Sequence, residues 1–144
     1  MPHTKNSIII NADIDKVFDV TNDIERWTEL FNEYTEAKIL KREENKITFQ
    51  LTNNEGKSWR SSRIVDKINY VCTAEREEPK FPFKYMHLKW TYKKVDGGIE
   101  MTWEQDFEMD EKAKYNNEQA AELINKHSQE NMKGIKEIIE TEER

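Results

Sequence analysis

A guanidinium that shares a strand face with a tryptophan is the first feature of this sequence that could do chemistry. In residues 58–65, SWRSSRIV, alternation puts Trp59, Ser61 and Arg63 on one face and Arg60 and Ser62 on the other. Arginine is effectively always charged, and burying it without a partner costs several kcal/mol. Either a carboxylate must meet it, or it must face a water-filled cavity. Residues 99–109, IEMTWEQDFEM, raise the same question, because Gln105 falls in line with Met101, Trp103, Phe107 and Met109. An amide buried there without partners costs roughly 1 to 3 kcal/mol. In residues 85–95, YMHLKWTYKKV, the inward set is Met86, Leu88 and Trp90. Polar groups on otherwise apolar faces predict a wet cup with tryptophan walls, in which Arg63 touches the ligand. Two other readings stay open at this point. Arg63 could reach water at its strand end or pair with one of many carboxylates. Trp27, Trp59, Trp90 and Trp103 could form a dry core.

Other reactive types are isolated. His3, His87 and His127 fall in different elements without metal-ligand spacing, so no metal is expected. Cys72 has no adjacent base and reads as an inert strand thiol. No nucleophile motif, phosphate loop or dinucleotide fingerprint is present.

These residues need elements to hold them. Residues 7–12, SIIINA, are a short β-branched run, and Asp13 can cap a helix in which Ile14, Val17, Phe18 and Ile24 take helical spacing. A second short helix is predicted over residues 26–33, with Trp27, Leu30, Phe31 and Tyr34 facing one side. From Tyr34 the period becomes two: TEAKILKR, KITFQLT, SWRSSRIV, YVCTAERE, YMHLKWTYKKV and IEMTWEQDFEM read as six strands. The breaks between them, such as NNEG at 53–56 and DGG at 96–98, are short enough for an antiparallel meander. Residues 116–142 then form a long amphipathic helix, with Ala120, Ile124, His127 or Ser128, Asn131, Ile135, Ile138 and Ile139 along one face. This order predicts an α+β helix-grip fold, a curved seven-stranded antiparallel sheet wrapped around the last helix, with two short helices after the first strand.

Composition limits the partners. The 144 residues fit a single domain spanning 1–144. Hydrophobic residues make up 35% and charged residues 36%, with a mean hydropathy of -1.01, so apolar side chains must be concentrated on few faces. A net charge of -6 and a pI near 5.2 give no electrostatic basis for a nucleic-acid or anionic-membrane partner. No run approaches the roughly 18 apolar residues that span a bilayer, and MPHTKNSIIINAD lacks the longer apolar core of a signal peptide. With a single cysteine besides, the expected location is cytoplasmic.

The assembled residues resemble one family, the polyketide aromatase/cyclases of the START-like (SRPBCC) superfamily, and especially the tetracenomycin-type domain. The likeness is carried by NSIIINADIDKVFDVTNDIERWTELFNEYTEAKIL, by KYMHLKWTYKKVDGGIEMTWEQDFEM and by ENMKGIKEIIE, which together cover nearly the whole chain. The resemblance implies that Arg63 and Tyr34 are catalytic. It also implies that Trp27, Trp59, Ser61, Met86, Leu88, Trp90, Trp103, Gln105, Ser128 and Asn131 line a substrate cavity. The family has a second tryptophan two residues before the position of Trp59, where this chain has Lys57, so a wider or more polar wall is expected there. His127 likewise stands at a position where a relative carries a hydroxyl.

The implied substrate is a poly-β-ketone or aromatic small molecule, delivered as a thioester on an acyl carrier protein by a minimal polyketide synthase. The implied reaction is intramolecular aldol addition followed by loss of water, with no cofactor. Its rival is a non-catalytic carrier of the same superfamily for a hydrophobic or aromatic molecule. A partner-binding domain with a dry interior is the third reading, and it alone expects no cavity.

Overall fold

The computed structural model describes residues 2–142. Its chain order is β1 (His3–Ile10), α1 (Ile14–Thr21), a single 3-10 turn (Ile24–Arg26), α2 (Trp27–Leu30), β2 (Tyr34–Glu43), β3 (Lys46–Asn53), β4 (Ser58–Asp66), β5 (Val71–Arg76), β6 (Phe83–Val95), β7 (Gly98–Met109) and α3 (Asn117–Glu142). The strands form one seven-stranded sheet in the order β1-β7-β6-β5-β4-β3-β2. Every neighbouring pair is antiparallel. This is the helix-grip α+β architecture that the element order predicts.

Local chemistry accounts for the helix ends. Asp13 caps α1 by accepting the amide of Asp15 on its side chain. Asn116 and Gln119 form a reciprocal capping box at the start of α3, each side chain accepting the other's backbone N–H. Buried Met132, Ile135 and Ile139 then carry α3 into one core with Ile10, Val17, Phe18 and Met101. Gly98 opens β7 at a φ of 140°, where a Cβ would stand 2.1 Å from the carbonyl oxygen of Ile10. Only glycine lets the β6–β7 turn approach the end of β1 so closely.

Two boundaries and the makeup of one helix face differ from the sequence reading. β1 begins at His3 rather than residue 7, because its pairing with β7 continues through polar residues. Thr4 and Asn6 are buried there, and the amide of Asn6 bonds Asn125 and Gln129 of α3. The second helix is only one turn of α2, since Phe31 turns to extended backbone so that its ring can stack on Trp103 at 5.8 Å. On α3 the inward choice falls on Ser128, which is buried, while His127 is exposed; Met132, fully buried, joins a face the spacing argument had drawn without it.

Candidate functional site

Pairing across the sheet sets the inner surface row by row. Arg63 of β4 lies beside Ala74 of β5, Ala74 beside Leu88 of β6, and Leu88 beside Gln105 of β7. A neighbouring row runs Cys72, Trp90, Trp103. The small Ala74 side chain between two long neighbours leaves space that a larger residue would fill. The result is a cavity of about 300 Å3 between the sheet, α2 and α3. Its lining includes every residue expected from the sequence: Arg63, Tyr34, Trp27, Trp59, Ser61, Met86, Leu88, Trp90, Trp103, Gln105, Ser128 and Asn131. A cavity is present, against the reading that expects none, while Trp27, Trp90 and Trp103 also belong to the buried core.

Arg63 forms the floor and is 1% exposed. Its Nε donates to Oδ1 of Asn22 at 2.8 Å, and its guanidinium carbon lies 4.0 Å from the Trp90 ring centre and 5.4 Å from that of Trp27. No carboxylate forms an ion pair with it among the described residues, and its Nη2 has no hydrogen-bond partner. Ring faces and one neutral amide therefore replace a counter-ion. The strand-end and carboxylate-paired readings of Arg63 do not hold. Asn22 ends α1 and is itself tethered, its Nδ2 donating to the carbonyl of Phe18, while its Oδ1 also accepts from the Cys72 thiol at 3.1 Å. Burial raises the pKa of that thiol, which keeps it protonated as a donor.

The walls are aromatic. Trp90 stacks on Trp103 with centres 4.5 Å apart, and Trp27 stacks on Trp90 at 5.9 Å. Trp27 donates its indole N–H to the carbonyl of Thr21, but the indole N–H groups of Trp90 and Trp103 are buried without acceptors. With Nη2 of Arg63, that makes three buried donors without a partner on residues that also line the cavity. Of the polar lining, Gln105 accepts a long bond from Ser128 at 3.5 Å, and Oδ1 of Asn131 accepts the amide of Asn32 at 3.2 Å.

At the mouth stand Glu33, Tyr34, Arg76 and His127. Tyr34 is half-buried between Trp27 and Trp59, and its pKa is raised well above the ordinary tyrosine value by burial and by the Glu33 carboxylate, with Arg76 and Arg63 opposing. It is a neutral hydroxyl at neutral pH. Arg76 lies 4.4 Å over Trp59, held by the carbonyls of Pro79 and Phe81, and burial pulls its guanidinium down to about 10, still charged at neutral pH. Sequence reasoning missed this second cation and Glu33. The signal for Arg76 was available, since Cys72, Ala74 and Arg76 share one strand parity. Lys57, at the position of the family's second tryptophan, lies in the turn before β4, side chain 75% exposed beside Glu55, and does not itself join the lining. Among the described residues, no group of three or more His, Cys, Asp or Glu could hold a metal ion, and no helix is long and apolar enough to cross a membrane.

Comparison with known proteins agrees with this geometry. A family model described as "Polyketide cyclase / dehydrase and lipid transport" matches residues 10–132. A Streptomyces cyaneus protein named "Putative polyketide cyclase" is 42% identical over 143 residues, covering 96% of this chain and 93% of that one. Among solved structures, the Zhui aromatase/cyclase from Streptomyces sp. R1128 superposes with a TM-score of 0.83 at 18% identity, over 99% of this chain and 95% of that chain. The di-domain aromatase/cyclase BexL superposes with a TM-score of 0.79 at 17% identity, over 95% of this chain and 46% of that chain. At such identities the structural likeness speaks for the fold alone.

Proposed function

Since the chain belongs to the polyketide cyclase/dehydrase and lipid transport family, we propose that it is a polyketide aromatase/cyclase, which folds a poly-β-ketone chain in its cavity and directs aldol closure and dehydration of the first ring. The observation that carries this reading is a buried guanidinium without a counter-ion on the wall of a tryptophan-lined cavity. A poly-β-ketone is the complementary molecule, a series of carbonyl oxygens with no donor.

The chemistry follows from what each group can do. An enolate carbon attacks a distant ketone, and negative charge moves onto oxygen. Arg63 stabilises that oxyanion from a site shielded from water, where a fixed cation acts most strongly. Tyr34, kept neutral, donates to the same or a neighbouring oxygen. Trp27, Trp59, Trp90 and Trp103 hold the chain in a bent conformation that brings the two carbons together, a proximity effect worth up to about 7 to 11 kcal/mol in favourable intramolecular reactions. Ser61, Gln105, Ser128 and Asn131 supply polar contacts along the floor, and Met86 and Leu88 the apolar sides. Every step is proton transfer, carbon–carbon bond formation or elimination of water, each activated by neighbouring carbonyls and without change of oxidation state, so no cofactor is called for. Delivery as a carrier-protein thioester from a minimal polyketide synthase supplies such a chain before it cyclises on its own.

Reconstitution with a minimal polyketide synthase and its carrier protein tests the proposal. Wild type is expected to concentrate products on one ring pattern. Arg63→Ala should slow the directed closure by about 10²- to 10³-fold, returning the mixture to the spontaneous pattern, with a smaller loss for Tyr34→Phe. An unchanged product pattern on adding wild type, or full direction by Arg63→Ala, would overturn it. Stoichiometric binding of a polyketone without any change of product would instead identify a carrier.

A further inference from the structure

Proton transfer needs a base, and the cavity contains few. Among the described lining residues Glu33 is the only carboxylate and His127 the only imidazole. The remaining polar lining consists of two cations, neutral amides and hydroxyls, and Tyr34 is a donor at neutral pH. Resting on the cyclase reading, we propose that Glu33 is the general base of the reaction, taking a proton from the methylene carbon between two carbonyls, with His127 beside its carboxylate as the positioning residue.

The arrangement places all three groups at the mouth. Glu33 sits between α2 and β2, with 36% of its side-chain surface open, and its carboxylate lies 3.9 Å from Nδ1 of His127 on α3. The Tyr34 hydroxyl lies beside the same carboxylate: it lowers the Glu33 pKa, and Glu33 raises that of Tyr34. Burial raises the pKa of Glu33, making it a stronger base than an exposed carboxylate, while His127 and Tyr34 pull in the opposite direction. The charged groups facing this cluster from other strands, Arg76 of β5 and Arg63 of β4, act on Tyr34. Asn131 fixes the segment by accepting the backbone N–H of Asn32, the residue before Glu33.

The step balances. Glu33 takes the methylene proton and becomes a carboxylic acid, while the C–H electron pair moves into an enolate whose oxygen meets the donors. The enolate carbon bonds to the ketone carbon, and that carbonyl becomes an alkoxide. The alkoxide takes a proton from the Tyr34 hydroxyl as Tyr34 takes the one on Glu33, which restores both groups.

A pantetheine thioester of a 3-oxo acid, in deuterium oxide, isolates the proton step, because exchange at its activated methylene needs no ring closure. Wild type should accelerate exchange above the spontaneous rate, with the rate rising with pH as Glu33 ionises. Glu33→Gln should lose about a hundredfold or more of that acceleration together with the pH-dependent rise. His127→Asn should keep the plateau rate but shift the rise to higher pH, because the imidazole side chain that lowers the Glu33 pKa is gone. No acceleration by wild type, or Glu33→Gln exchanging like wild type, overturns the assignment. Product analysis with the polyketide synthase in parallel separates the two ideas: directed products with a fully active Glu33→Gln sink the base and leave the cyclase standing, whereas undirected products from wild type sink the cyclase.

Discussion

Arg63 is held by a neutral amide where a carboxylate would bind it more tightly, and that choice leaves its charge available. Asn22 accepts from both the Arg63 Nε and the Cys72 thiol, so removing it strips two buried donors at once. Asn22→Leu should lower unfolding free energy by about 1.5 to 3 kcal/mol, the range for a hydrogen bond to a charged group, measured by urea denaturation. Asn22→Asp gives Arg63 a counter-ion and should unfold at higher urea than Asn22→Leu, while directing polyketide closure less well than wild type. Equal urea midpoints for all three proteins would show that Asn22 carries none of this. Arg63 itself was legible because one charged residue interrupted a clean alternation. Asn22 was not, since its partner lies 41 residues away on another element and nothing near position 22 points to it. Glu33 escaped for a similar reason: a carboxylate in an acidic chain looks like solvated surface until the fold sets it on a cavity wall.

Elements follow their periods closely, and they fail where polar residues turn inward. All six later strands were legible from alternation and the turn residues between them, and the final helix from its apolar face, even though β4 carries Ser61 and Arg63 inward. The first strand was legible only over its Ile run, since Thr4 and Asn6 carry no apolar signal although both are buried against the sheet and α3. The second helix was overdrawn because Phe31 and Tyr34 keep helical spacing to Trp27 while the backbone between them has already left the helix. The turn between β6 and β7 offers a direct test of close approach. Gly98→Ala would push a Cβ into backbone atoms of Ile10 and Asn11 that cannot rotate away, and should cost roughly 3 kcal/mol or more. Gly97→Ala, whose Cβ meets nothing nearer than 3.8 Å, serves as the control for positive-φ strain alone and should cost about 1 to 2 kcal/mol. Thermal unfolding of the two variants, compared side by side, measures the difference.

At the scale of the molecule, the end of α3 is tied to the opposite side of the fold by charge. Glu142 pairs with Lys16 of α1 at 2.9 Å and with Arg26 at 2.6 Å, and these partners, Arg26 foremost, hold its carboxyl down to about 2. A depressed carboxylate stabilises the fold above its unfolded pKa, and the contribution is lost as pH falls toward 2. Glu142→Gln should therefore melt slightly below wild type at pH 7 and low salt, with the gap closing in acid and shrinking in high salt because the groups are partly exposed. A gap independent of pH would mean that the ion pairs are idle. Long-range ties of this kind were invisible in the sequence, where 116 residues separate Arg26 from its partner. The aromatic lining has another consequence. All four tryptophans of the chain border the one cavity, and two of them are stacked almost parallel at 4.5 Å. Their ultraviolet emission and exciton-coupled dichroism thus originate beside the binding space, so the protein carries a built-in optical gauge of whether that space is filled, readable without a label or a turnover assay.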